Sequence, residues 1–233
     1  MRNLGWARSG LALLVAAALP AQATAQVAWT DWTAASVGTA GSAVGTLTIG
    51  LTPITVRYTG EVYGQTQTSG GGTDYWAPGN AYSATGRPTG TDIITLTGGK
   101  QITQTLTFDA PIANPVMAIL SLGQPGLRRY YDFDAPYTIM SSGAGFWGGD
   151  PSGSLFTTSV ANELAGDEGH GVIQFNGTYT SISWTVPVEE TWHGFTIGAA
   201  TTVTPEPASM TLLATGLIGV VGAARRKRSG RLS

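Results

Sequence analysis

Two histidines, His170 and His193, and no cysteine limit the covalent and metal chemistry open to this 233-residue chain. A three-histidine zinc site is excluded by count and every thiolate ligand or nucleophile by composition. No His-Glu-x-x-His or Gly-x-Ser-x-Gly motif supplies a metalloprotease or serine-hydrolase constellation. Carboxylates are the remaining candidates. Asp132 and Asp134 share a face if their segment is a strand, and Glu189 adjoins Glu190; paired carboxylates are what a glycosidase uses as acid and nucleophile. Thirteen carboxylates from Asp31 to Glu190 also produce such neighbours by chance, so solvated loop charge without catalysis is the expectation. Around Asn162, the turn-rich segment carrying Glu163, Asp167 and Glu168 offers hard oxygen ligands for calcium without the spacing of an EF-hand. It is the one candidate metal site, and no other cofactor is expected.

Two glycine-rich stretches invite a ligand. Gly143-Ala144-Gly145-Phe146-Trp147-Gly148 has the letters of the dinucleotide fingerprint, with Glu163 twenty residues beyond its first glycine. A phosphate loop needs a helix whose N-terminal amides face the phosphate, and Gly149-Asp150-Pro151-Ser152-Gly153 cannot sustain one, so the match is accidental. The second stretch opens at Ser69-Gly70-Gly71-Gly72 and runs to the next strand near Asp92, carrying Tyr75, Trp76 and Tyr82. Exposed flat aromatics suit a sugar, whose pyranose ring offers an apolar C–H face to a π-system. The competing expectation is that these aromatics fold inward and close one end of the domain.

The elements that position these residues read as strands throughout. Ile54, Val56, Tyr58 and Val62 alternate with Thr55, Arg57, Thr59 and Glu61, and the same period of two returns in 102–108 and 181–186. Pro115 to Leu122 is more continuously apolar, and further strands are expected at 137–140, 171–175 and 195–199. Asn176-Gly177 predicts a two-residue hairpin between Val172–Phe175 and Tyr179–Val186. Short strands punctuated by Gly, Pro, Asn and Asp predict an all-β fold, an antiparallel β-sandwich with a jelly roll as the favoured variant.

Both ends carry targeting patterns. Arg2 and Arg8, the apolar Leu11 to Leu19 and the small residues at 21–25 make residues 1–25 a cleavable signal peptide, a substrate for signal peptidase. At the other end Pro205-Glu206-Pro207 precedes an apolar run, Ala208 to Ala224, and the cluster Arg225-Arg226-Lys227-Arg228. Seventeen residues at ~1.5 Å rise span roughly 25 Å, a minimal transmembrane helix whose basic flank stays cytoplasmic. Residues 26–203 then form one passenger domain and 204–233 a sorting segment. Removing the ends removes most of the basic residues. Five cationic side chains against thirteen carboxylates leave the passenger at a formal charge of −8, which argues against nucleic acid or anionic lipid as a partner.

The Pro-Glu-Pro tripeptide, the single short apolar helix and the terminal arginine cluster resemble the PEP-CTERM sorting domain of exported Gram-negative proteins. The resemblance implies that an exosortase, an integral-membrane cysteine protease, recognises Pro205, Glu206 and Pro207, cuts near them and passes the protein from the inner membrane to the cell surface or extracellular matrix. The passenger is expected to be a non-catalytic structural or interaction module. The alternative is an exopolysaccharide-binding module acting through Tyr75, Trp76 and Tyr82.

Overall fold

The computed structural model describes residues 26–201. The signal peptide, Pro205 to Pro207, the apolar run 208–224 and Arg225 to Arg228 lie outside the described residues. Among the described residues the strands run in chain order as β1 Gln26–Trp29, β2 Asp31–Ser36, β3 Gly38–Ile49, β4 Thr52–Val62, β5 Ile94–Leu96, β6 Thr103–Ala113, β7 Val116–Leu122, β8 Arg129–Phe133, β9 Tyr137–Gly143, β10 Leu155–Thr157, β11 Glu163–Gly166, β12 Gly169–Phe175, β13 Thr178–Thr185 and β14 His193–Thr201. A single 3-10 turn, Gly79–Tyr82, interrupts the segment between β4 and β5.

These strands form two antiparallel sheets. The first has the order β1-β14-β7-β12-β9, with β5 also paired to β14; the second runs β10-β11-β8-β13-β6-β4-β3-β2. From β4 onward the chain crosses between the sheets at every connection except β10 to β11. Taken as β5-β14-β7-β12 facing β6-β13-β8-β11, eight strands interleave in the order of a jelly roll. The first and last strands meet: β1 pairs along β14 from Gln26 opposite Thr201 to Trp29 opposite Gly198.

Alternation builds the interior. In β4, Ile54, Val56 and Tyr58 are buried while Arg57 and Thr59 are exposed. In β13, Ile182 and Trp184 turn inward. Opposite them Met117, Ile119, Ile173, Phe195 and Ile197 project from the first sheet into the same core. Phe195 packs its ring edge-on to Tyr58 at 5.3 Å and to Trp184 at 5.1 Å, a contact geometry that adds to simple burial. One inward position of β6 is polar. Gln104 sits between Ile102 and Leu106, and its Oε1 accepts from the Tyr58 hydroxyl at 2.5 Å and from Glu61 N at 2.8 Å. The Glu61 carboxyl is satisfied in turn by Thr97 Oγ1 at 2.6 Å and Gly98 N at 2.8 Å, as a buried polar group requires.

The hairpin predicted at Asn176-Gly177 does not form. β12 lies between β7 and β9 in the first sheet, whereas β13 lies between β6 and β8 in the second, so the two residues make a corner between sheets. The favoured two-residue turn needs left-handed backbone at both positions, and of this pair only Gly177 has a positive φ (+143°). The corner is instead clamped to its counterpart between β6 and β7: Asn114 N donates to Gly177 O at 2.6 Å and Gly177 N to Asn114 Oδ1 at 2.9 Å.

β7 is buried along its whole length, which explains its continuous apolarity. Its second face is covered by the long segment between β4 and β5. Trp76, Ala81, Tyr82 and Ile93 from that segment pack on Val116, Ala118, Leu120 and Val172. The β7–β12 ladder also carries an irregularity: Leu122 is opposite Gly169 and Ile119 opposite Gly171, so Leu120 and Ser121 face the single residue His170. Ser121 takes a left-handed φ of +57° there, which turns Leu122 back into the core. Bulges of this kind re-aim side chains and concentrate beside functional surfaces.

Candidate functional site

Of the three loop aromatics singled out by sequence, two are not at the surface. Trp76 and Tyr82 are fully buried, their rings edge-to-face at 5.4 Å. Trp76 Nε1 donates to Asp92 O at 3.3 Å and the Tyr82 hydroxyl to Ile119 O at 3.3 Å. Their placement corrects the expectation of a groove built on them, because a sugar cannot stack on a ring enclosed by the sheet. The physical cause is the apolar outer face of β7, against which both rings pack. Asp92 fastens the same segment, accepting from Trp32 N at 3.0 Å and Gly70 N at 2.7 Å.

Tyr75 points elsewhere and joins an aromatic group that the sequence did not assemble. Its ring lies 5.1 Å from Phe146, 5.4 Å from Trp147 and 5.2 Å from Trp192. Trp147 is 4.9 Å from both Phe146 and Trp192. Phe146 and Trp147 are 40% and 45% exposed, an unusual state for two adjacent large aromatics. They owe it to local geometry. After β9, Gly145 N donates to Gly148 O at 2.7 Å and Gly148 N returns to Gly145 O at 3.1 Å, closing a tight turn with Phe146-Trp147 at its tip. No helix follows it, so the glycine fingerprint of 143–148 is a turn that displays aromatics.

Beneath this group lies a buried polar cluster at the bulge. Ser121 Oγ donates to Glu168 Oε1 at 2.5 Å, His170 Nε2 stands 3.3 Å from the same oxygen, and Ser121 N donates to His170 Nδ1 at 3.3 Å. His170 is fully buried, and its ring is packed against Gly145, where an added Cβ would fall 2.3 Å from ring atoms. Glu168 also takes a left-handed φ of +54°. Two non-glycine residues held in that region mark a locally strained surface. Ser121 and Glu168 reach the floor of a depression of about 350 Å³ whose walls include Trp147, Trp192, Gln124 and Thr191. Gln124 Nε2 donates to Thr191 Oγ1 at 2.8 Å, and the turn bearing Gln124 is anchored by Gly123 N donating to the buried Glu190 Oε1 at 3.0 Å. Glu190 in turn faces His193 Nδ1 at 2.7 Å inside the domain.

The neighbouring carboxylates take different partners. Glu189 forms a surface ion pair with Lys100 at 2.6 Å, while Glu190 points into the interior. Asp134 Oδ1 accepts from Ser183 N at 2.9 Å, and Asp132 lies across from Glu163 on the neighbouring strand β11. The Glu189–Glu190 pair is therefore split between the surface and the interior. Glu163, Asp167 and Glu168 each have a different partner: Glu163 accepts from Thr158 Oγ1 at 2.5 Å, Asp167 from Gly126 N at 2.8 Å, and Glu168 from Ser121. Among the described residues no group of three or more His, Asp or Glu side chains is placed to hold a metal ion.

Asp132 does carry a testable consequence. Burial, followed by the charge of Glu163 and a hydrogen bond to it, raises its pKa above the usual carboxylate value. A raised carboxyl pKa means that the folded state resists ionisation, so the cost is full at neutral pH and absent below the unfolded value near pH ~4. Asp132→Asn is expected to raise Tm at pH ~7 by about 1–3 °C, the gain closing as the pH falls toward ~3.5, in paired thermal melts. A gain that does not change with pH would assign the effect to packing.

No curated protein and no solved structure matches the chain. Residues 203–228 match the family model of the PEP-CTERM protein-sorting motif, a span that includes Pro205, Glu206, Pro207 and the basic cluster Arg225 to Arg228. The chain is thus an exported protein bearing a PEP-CTERM motif, an exosortase substrate sorted to the cell envelope or surface.

Proposed function

We propose that the exported β-sandwich is a non-catalytic saccharide-binding module, held at the surface or in the extracellular matrix and engaging exopolysaccharide through Tyr75, Phe146, Trp147 and Trp192. One observation carries this reading: four aromatic rings clustered beside hydrogen-bonding groups, with two of them substantially open to solvent. A pyranose can lay its C–H face on Trp147 while Gln124, Thr191 and Glu168 take its hydroxyls. A module of this kind gives an exosortase-sorted protein a reason to be outside the cell, retaining it in a polysaccharide matrix such as that of a biofilm. The split of Glu189 and Glu190 between surface and interior supports a role without turnover.

The test is a glycan array probed with the exported protein and its Trp147→Ala variant. Binding by the parent that falls at least tenfold in the variant, with an unchanged Tm, is the expected outcome. Absence of any glycan ligand, or binding indifferent to Trp147, overturns the reading. Release of sugar fragments by the parent would overturn its non-catalytic part.

A further inference from the structure

The aromatic depression does not end at Glu168. A second depression of about 550 Å³ adjoins it and shares Pro125 and Glu168 as lining. Its surfaces are Asp150, Asp167, Ser154 and Arg128, whose guanidinium lies 4.6 Å over the ring of Phe156. The two volumes each fall in the range of a small-molecule site, and together they make a groove that crosses the Glu168 carboxylate.

The charge along this groove is lopsided. Three carboxylates, Glu168, Asp167 and Asp150, face one guanidinium, and that guanidinium is occupied with an aromatic ring. Hydrogen bonds leave each carboxylate one oxygen uncommitted. Asp150 Oδ1 accepts from Ser152 N at 2.8 Å and Ser152 Oγ at 2.7 Å, Asp167 Oδ1 from Gly126 N, and Glu168 Oε1 from Ser121 Oγ. The Ser152 hydroxyl and amide also hold the Asp150 pKa below the usual carboxylate value, so it stays ionised in mildly acidic surroundings. The domain as a whole is acidic. A uronate polymer would meet like charge in the groove and across the surface. A sugar bearing an ammonium group would stack on Trp147 and place its charge against Glu168 and the aspartates.

From this complementarity we infer that the groove selects a cationic amino-sugar polymer, at least two residues long, laid across Glu168. The inference rests on the saccharide-binding reading and narrows it to a chemical class. The aromatic end supplies the stacking that any pyranose can use; the carboxylate end supplies the discrimination.

Calorimetric titration of the exported protein with glucosamine hexamer, N-acetylglucosamine hexamer and a hexameric uronate, at about pH 5.5, tests it. The glucosamine hexamer is expected to bind roughly tenfold tighter than its acetylated counterpart, a difference of about 1.4 kcal/mol that shrinks at high salt. The uronate should not bind. The double variant Asp150→Asn/Asp167→Asn, at exposed and half-buried positions, should lose most of that preference while still binding the acetylated hexamer. Equal affinity for the charged and acetylated hexamers, with Trp147 dependence intact, would sink the inference and leave the saccharide module standing. Tightest binding of the uronate would sink it as well. No binding of any hexamer, with an array free of other glycan ligands, would end both.

Discussion

Trp76→Ala is expected to destabilise the domain by about 3–5 kcal/mol, the usual cost of deleting a fully buried large aromatic. The side chain is the centre of the cluster that covers the outer face of β7, packed with Tyr82, Ala81 and Ile93 against Val116, Ala118 and Leu120. Its indole also caps the carbonyl of Asp92, the residue that ties the segment to β2, so truncation leaves that acceptor without its donor. At roughly 2–4 °C per kcal/mol for a domain of this size, Tm should fall by about 10 °C. Thermal melts followed by circular dichroism provide the measurement. A loss under about 1 kcal/mol would show that the segment is a detachable flap and that the first sheet tolerates a wet outer face.

Gly145→Ala should be the most damaging small substitution at the aromatic site. The new methyl would lie 2.3 Å from His170 Cγ and Nδ1, inside any permissible contact. The ring cannot retreat easily: it is fully buried, its Nδ1 is engaged by Ser121 N, and Glu168 stands beside Nε2. The turn must lift instead, carrying Phe146 and Trp147 away from Tyr75 and Trp192. Overpacking of this kind costs about 1–3 kcal/mol. The expected loss of saccharide affinity is larger in proportion, about tenfold or more, because a displacement of ~1 Å suffices to spoil a stacking platform. Gly64→Ala is the control, since nothing lies within 4 Å of the point its new methyl would occupy and its backbone is unstrained. A Gly145→Ala protein with parental Tm and affinity would mean that His170 is free to move.

The sandwich was legible wherever one face is wet. Ile54 to Val62 and Ile182 to Val186 alternate because one side meets the core and the other meets water, and both form strands as expected. β2 and β3 were not legible because Gly38–Ile49 is built largely from Gly, Ala, Ser and Thr, whose weak polarity contrast hides the period. β11 was hidden for a different reason, being only four residues long and acidic at its start. The corner at Asn176-Gly177 could not be told from a hairpin locally, since the choice lies with the partners: β7 and β9 take β12, and β6 and β8 take β13.

The candidate site was legible in kind and not in address. Aromatic residues in the loop after β4 pointed to stacking, yet only Tyr75 reaches the surface, and its companions come from 146–147 and from Trp192. Contacts so distant in sequence leave no short-range pattern. One local signal existed. Phe146-Trp147 flanked by glycines on a turn is an aromatic pair with little to bury it, and the nucleotide-like lettering of 143–148 masks it.

The meeting of β1 and β14 has a kinetic side. β14, completed last, lies inside the first sheet, paired to β1 and β5 on one side and to β7 on the other. A partly exported chain that ends before His193 therefore has β1 without its partner and β7 with one edge bare, and its longest-range pairing, Gln26 with Thr201, is out of reach. Such non-local closure is slow and cooperative. The first sheet therefore cannot close until His193–Thr201 is available. The position of one strand makes completion of the sheet depend on the last stretch of the domain.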